Sequence, residues 1–168
     1  MATDDAAPVR PRSGVNEDNE FWYEGIEQRE LRIQSCADCG RLRHPPCPMC
    51  AACHSLNRSW VVASGRGVIY SYVVHHHPPV VGLDTPYVVV LVELEEGIRV
   101  VGNLLDGPHA GVAIGSPVEL CFTADPRGGA VLPQWRLAGG AGEGAEPTSL
   151  VPPVHVADSD SGSRLSAT

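Results

Sequence analysis

Five of the six cysteines in this chain fall in one short stretch, "SCADCGRLRHPPCPMCAACHS", residues 35–55. No other feature limits the possible folds as much. Cys36-x-x-Cys39 and Cys50-x-x-Cys53 form two pairs separated by residues 40–49. Each pair presents two sulfurs on one tight turn. Two such turns facing each other make a tetrahedral set of four thiolates, which suits zinc at a Zn–S distance of about 2.3 Å. A closed four-cysteine site has no position left for water or substrate. The expectation is therefore one structural zinc ion, standing in for a core that this segment cannot build.

One thiol is surplus. A second set, Cys36, Cys39, Cys47 and Cys50, would leave Cys53 over. Cys47 follows two prolines, a stiff lead-in to a knuckle, whereas Gly40 directly after Cys39 suits a knuckle turn. His54 after Cys53 suits one less well. Spacing favours Cys36, Cys39, Cys50 and Cys53 without excluding the other set. Cys121 lies in a strand pattern and is expected to be an inert buried thiol.

The rest of the chain is read around this cluster. With 18 Gly and 15 Pro in 168 residues, long helices should be scarce and turns frequent. Residues 1–16 are polar and Pro-bearing, and are expected to be disordered. Residues 17–33 place Phe21, Trp22, Ile26, Leu31 and Ile33 among charges at roughly helical spacing. They predict an amphipathic helix that starts at Asn19, with acidic residues at its positive end and Gly25 as its weak point. The aromatic run Phe21, Trp22 and Tyr23 is either a lid on the protein's own core or an anchor for a partner subunit. Residues 34–57 form the ribbon. Over residues 58–138, "SWVVASGRGVIYSYVVHH", "PYVVVLVELEEGIRVVGNLL", "SPVELCFTAD" and "AVLPQWRLA" are short, Val- and Tyr-rich and divided by Gly, Pro and Asp. They predict a small closed β-barrel with a hairpin turn at Glu96-Gly97. Residues 139–168 are expected to be a disordered tail.

Net charge is −8, and every basic residue is an arginine. That balance disfavours phosphate-backbone binding and rules out lysine Schiff-base chemistry. The apolar runs fall far short of the roughly 20 residues a membrane span needs, and the N-terminus carries no hydrophobic signal core. A soluble cytoplasmic protein is expected, and there clustered cysteines more often bind metal than form disulfides. On a strand, His75 and His77 would share one face and His76 the other. No Asp, Glu or Cys lies near in sequence to complete a metal set, so His75 and His77 are expected at a partner or ligand face. No nucleophile elbow, phosphate loop or dinucleotide fingerprint is present, and no catalytic residue is assigned.

The order of helix, four-cysteine ribbon and small barrel resembles the DUF35 family of zinc-ribbon, OB-fold proteins associated with acyl-CoA enzymes. The matching words are "FWYEGIEQRELRIQSCADCGRLRHPPCPMC", "SGRGVIYSYVVHHH", "TPYVVVLVELEEGIRVVGNL" and "IGSPVEL", spanning about residues 20–137. The resemblance implies a mainly β fold, with zinc held by Cys36, Cys39, Cys50 and Cys53. It also implies an accessory subunit of a thiolase-superfamily enzyme (a thiolase, a steroid side-chain aldolase or an acyltransferase), whose partner carries the catalytic residues. Position 47, commonly basic in that family, is Cys here. Arg41 and Arg43 remain as candidates for the phosphates of CoA.

Three functions follow as expectations. The first is a non-catalytic subunit in acyl-CoA metabolism. The second is a single-stranded nucleic-acid binder that stacks bases on Tyr70 and Tyr72, taken to share one strand face. The third is a free-standing enzyme using His75, Cys47 or a second metal. Charge and the lack of a nucleophile set favour the first.

Overall fold

The computed structural model describes residues 14–105, 111–124 and 131–139. One helix, α1 (Glu20–Glu27), leads into three strands, β1 (Arg32–Cys36), β2 (Leu42–Arg43) and β3 (Arg58–Val62). Five more follow: β4 (Arg66–His75), β5 (Tyr87–Leu94), β6 (Arg99–Leu104), β7 (Pro117–Ala124) and β8 (Val131–Leu137). The expected disorder of residues 1–13 and 140–168 lies outside the described residues.

β1 to β3 form an antiparallel sheet in the order β2-β1-β3, and β4 to β8 close into a barrel in the order β4-β5-β6-β8-β7. Within the barrel β6 runs parallel to β8, and the other pairings are antiparallel. That is the Greek-key closure of an OB-fold. The barrel core follows from period-2 patterning, most plainly in β5, where Val88, Val90, Val92 and Leu94 are buried and their neighbours are half-exposed. Gly97, with φ +73°, makes the β5–β6 turn where a hairpin was expected. Trp135 fills the centre of the barrel because Gly102 opposite has no side chain: a Cβ there would lie 2.6 Å from Trp135 Nε1.

Two boundaries differ from the sequence-based expectation. The helix stops at Glu27, and Arg32–Cys36 is a strand. The stop is a Schellman motif: Glu30 N–H donates to Gly25 O, Arg29 N–H donates to Ile26 O, and Arg29 takes a left-handed φ of 59°. Leu31 and Ile33 continue the apolar pattern into β1, whose five residues are all buried. A strand covered on both faces carries no alternation to set it apart from a helix. The second difference is β3, expected to open the barrel. It pairs with β1 from Arg32↔Val62 to Cys36↔Arg58 and so completes the ribbon sheet. The two sheets share one core, in which Leu31 and Ile33 of the ribbon join Ile69, Val90, Val118 and Trp135 of the barrel.

α1 is fixed to the ribbon by Arg32, which is only 6% exposed. Its Nε donates to Glu30, Nη2 to Gln28 and Nη1 to Glu24, while the guanidinium lies 4.1 Å from the Trp60 ring centroid. Asn19 occupies the N-cap but makes no side-chain capping bond. Its Oδ1 accepts from Asn16 N–H instead.

Candidate metal centre

The two knuckles are near copies of each other. Gly40 N–H donates to Cys36 O and His54 N–H donates to Cys50 O, both at 2.9 Å. Gly40 has φ +71° and His54 φ +59°. The left-handed position that glycine fills in the first knuckle is therefore held by a histidine in the second, one of the few non-glycine types that enter this region with some frequency.

This geometry brings the Sγ atoms of Cys36, Cys39, Cys50 and Cys53 within 4.8 Å of one another. Cys36 and Cys53 sulfurs are 3.5 Å apart, and those of Cys39 and Cys50 3.7 Å. Four ligands at the zinc–thiolate distance have an edge of about 3.8 Å, so the cluster fits one tetrahedral zinc ion. The electrostatics agree with that fit. N–H groups of Cys39 and Asp38 pull the Cys36 thiol below its ordinary value. Those of Cys53 and Ala52 bring Cys50 down to about 6. At Cys53 the Ser55 N–H also lowers the value, but the sulfurs of Cys39 and Cys36, with burial, push it up to about 12. N–H groups thus favour thiolate at Cys36 and Cys50 while the crowded sulfurs oppose it at Cys53, the charge pattern that a cation at the centre would relieve.

Cys47 stands outside this group, with its Sγ 3.5 Å from Met49 O. Its backbone is held by Gln34, which is 1% exposed. The amide Nε2 donates to Cys47 O, and Oε1 accepts from Cys47 N–H and from Arg43 Nε. Arg43 thus points inward, and its Nη1 and Nη2 are enclosed without a partner among the described residues. Arg41 is exposed. The two arginines do not present a joint surface to a phosphate, because Gln34 draws one of them under the ribbon loop.

Trp22 packs against the core and meets the His44 ring at 4.9 Å between centroids, while Phe21 and Tyr23 are half-buried. His75 stacks on Tyr87 at 4.8 Å and its Nε2 contacts Pro78 O at 2.7 Å, so it serves its own loop. β4 ends at His75, and the alternation that would pair it with exposed His77 ends there too. A bulge at Tyr70, between Ile69 and Ser71, puts Tyr70 and Tyr72 out of phase. The Tyr70 ring is covered by Arg99, whose guanidinium carbon is 3.5 Å from the centroid. They do not form the stacking pair expected from period 2. Cys121 is half-buried in β7, with its Sγ 3.5 Å from Gln134 O. Sequence reasoning missed Arg32 and Gln34. Both are polar residues in a fully buried strand, and only the fold shows what they hold.

Two family profiles match in register with this architecture. The ChsH2 rubredoxin-like zinc ribbon domain covers residues 24–57, and the ChsH2 C-terminal OB-fold domain covers residues 60–123. A solved structure described as "Ltp2-ChsH2(DUF35) aldolase" superimposes with a TM-score of 0.70 at 47% identity, covering 76% of this chain and 99% of that one. This chain belongs to the DUF35 family. Two curated relatives of this DUF35 protein are much longer. The "Probable enoyl-CoA hydratase alpha subunit" of Thermomonospora curvata is 49% identical over 131 residues, which is 77% of this chain and 40% of the relative. The "3-oxo-4,17-pregnadiene-20-carboxyl-CoA hydratase alpha subunit" of Mycobacterium tuberculosis is 46% identical over 123 residues, 73% of this chain and 39% of the relative. The DUF35 chain thus spans about two-fifths of the length of these relatives. No helix among its described residues is long and apolar enough to cross a membrane.

Proposed function

We propose that this DUF35 chain is the non-catalytic member of a hetero-oligomer in which a thiolase-superfamily subunit acts on a CoA thioester. The observation that carries the reading is the closed sulfur cluster, in a chain 47% identical to one whose structure bears the name of an Ltp2-ChsH2(DUF35) aldolase. Cys36, Cys39, Cys50 and Cys53 are the zinc ligands in this reading. Zinc there cross-links the two knuckles and has no open position for a substrate. The ribbon is then a stiff handle, and the reacting groups come from the partner. Names of the longer relatives, which specify hydratase subunits and a steroid-derived CoA thioester, support CoA-thioester metabolism as the setting. On the ribbon loop, Arg41 is the arginine that a CoA phosphate can reach.

The test is co-expression with an Ltp2-type subunit. A stable complex that turns over an acyl-CoA, with no turnover by the DUF35 chain alone, is the expected result. Turnover by the isolated chain overturns the reading.

A further inference from the structure

A groove of about 210 Å³ lies between α1 and β3. The helix side contributes Glu17, Glu20, Phe21 and Glu24, and the strand side contributes Arg58, Ser59 and Trp60. Its charges are unevenly matched. Arg58 is already committed to Asp18 and to Glu17 O, and Glu24 is shared with Arg32. Among the described residues no cation pairs with the side chains of Glu17 or Glu20. Trp60 remains 42% exposed although Arg32 covers part of its ring.

The strand side of the groove is a sheet edge. Neighbouring side chains on a strand point to opposite faces. A groove lined by three consecutive residues, 58–60, therefore follows the backbone. The β1–β3 register includes the bonds from Ala63 N–H to Leu31 O and from Ala37 N–H to Asn57 O. In an antiparallel ladder this alternation turns the N–H and C=O groups of residues 57, 59, 61 and 63 toward β1. Those of Arg58, Trp60 and Val62 point away from it. No other strand of the described residues pairs with this edge. Side chains 58, 60 and 62 share one face, and Val62 is 42% exposed like Trp60.

We propose that this edge receives an extended segment of the partner subunit as a fourth strand of the ribbon sheet. An arginine of that segment lies on Trp60 and pairs with Glu17 and Glu20, and an apolar residue two positions away meets Val62. The inference rests on the reading of the chain as a subunit of a hetero-oligomer. Strand addition satisfies the outward backbone groups, and alternate side chains set the specificity. Arginine fits better than lysine because its planar guanidinium stacks on an indole and bridges carboxylates. A phosphate backbone is repelled by the same carboxylates. A second copy of the chain brings the same acidic groove to the contact and gains no charge complement.

The probe is the Ltp2 subunit of the solved relative, titrated calorimetrically with the zinc-loaded full chain. Two variants test separate parts of the contact. Glu17→Arg with Glu20→Arg reverses the charge, and Val62→Pro deletes one outward N–H that β1 does not use. Each is expected to weaken binding by about tenfold or more, with zinc content unchanged and the thermal midpoint lowered by no more than a few degrees. Val101→Arg, on the exposed outer face of the barrel, is expected to bind as the wild type does. Failure of the wild-type chain to bind Ltp2 overturns the subunit reading together with this inference. Wild-type binding that both variants match overturns the inference alone, as does loss confined to Val101→Arg. A dimer of the chain in sedimentation that Val62→Pro dissolves assigns the edge to a second copy and also overturns it.

Discussion

Gly25 lies directly beneath the aliphatic stem of Arg32: a Cβ at position 25 would sit 2.7 Å from Arg32 Cγ and 2.9 Å from Glu30 O. The contact lets a charged side chain cross over a helix and reach three acceptors at once. In an isolated helix, Gly→Ala gains about 1 kcal/mol of propensity. Here the sign should reverse, because the clash involves backbone as well as a pinned side chain. Gly25→Ala is expected to destabilise the zinc-loaded protein by about 1–3 kcal/mol, measured by urea unfolding. A stabilised variant would mean that Arg32 is not held where it lies.

The choice of ligands has a direct test. Cys36→Ser should lose the stoichiometric zinc, since it removes one of four donors. Cys47→Ser should retain one zinc per chain, because Cys47 stands outside the sulfur cluster. Elemental analysis of the purified variants decides it. Metal loss on replacing Cys47 would transfer the site to the other cysteine set.

The second knuckle carries a strained position. His54 holds φ +59° where the matching residue of the first knuckle is Gly40. A left-handed backbone costs a side-chain-bearing residue about 1 kcal/mol. His54→Gly should therefore raise stability by about that amount, less the entropy that glycine adds to the unfolded chain. A thermal melt of the zinc-loaded pair checks it, and a clearly lower midpoint would count against the strain.

His44 is expected to make the fold sensitive to pH. Burial against Trp22 lowers its value from the ordinary 6.5. Between its folded value and 6.5 the unfolded chain holds more protons, so stability is complete above that window and falls as pH drops through it. The slope from this one group is at most about 1.4 kcal/mol per pH unit. His44→Asn should flatten the difference in urea midpoint between pH 7.5 and pH 5.5. An equal pH dependence in variant and wild type would remove His44 as its source.

What could be read in the sequence was whatever local chemistry fixes. Paired Cys-x-x-Cys motifs mark knuckles wherever they occur, and the glycine of "EEGIR" marks a hairpin. The alternating valines of β5 show a strand with one wet face. The misses share a different cause. The helix that stops at Glu27 is closed by Arg29, in a left-handed position that glycine usually announces, so nothing in the residue type marks the stop. β1 is buried on both faces, and its Arg32 and Gln34 look like the polar side of a helix until their partners at residues 24, 28, 30, 43 and 47 are brought near. The bulge at Tyr70 shifts the strand's phase by one residue, which no periodicity count detects. Gln34 marks the limit of reading from sequence: its role depends on Arg43 and Cys47, nine and thirteen residues further along the chain.

Leu31 and Ile33 reach from the ribbon into the same packed interior as Trp135. The metal cluster and the far rim of the barrel are therefore set at one separation, as marks on a ruler are. Any assembly that grasps both ends inherits that spacing. Stripping the ion would blur the scale at one end and leave the other legible.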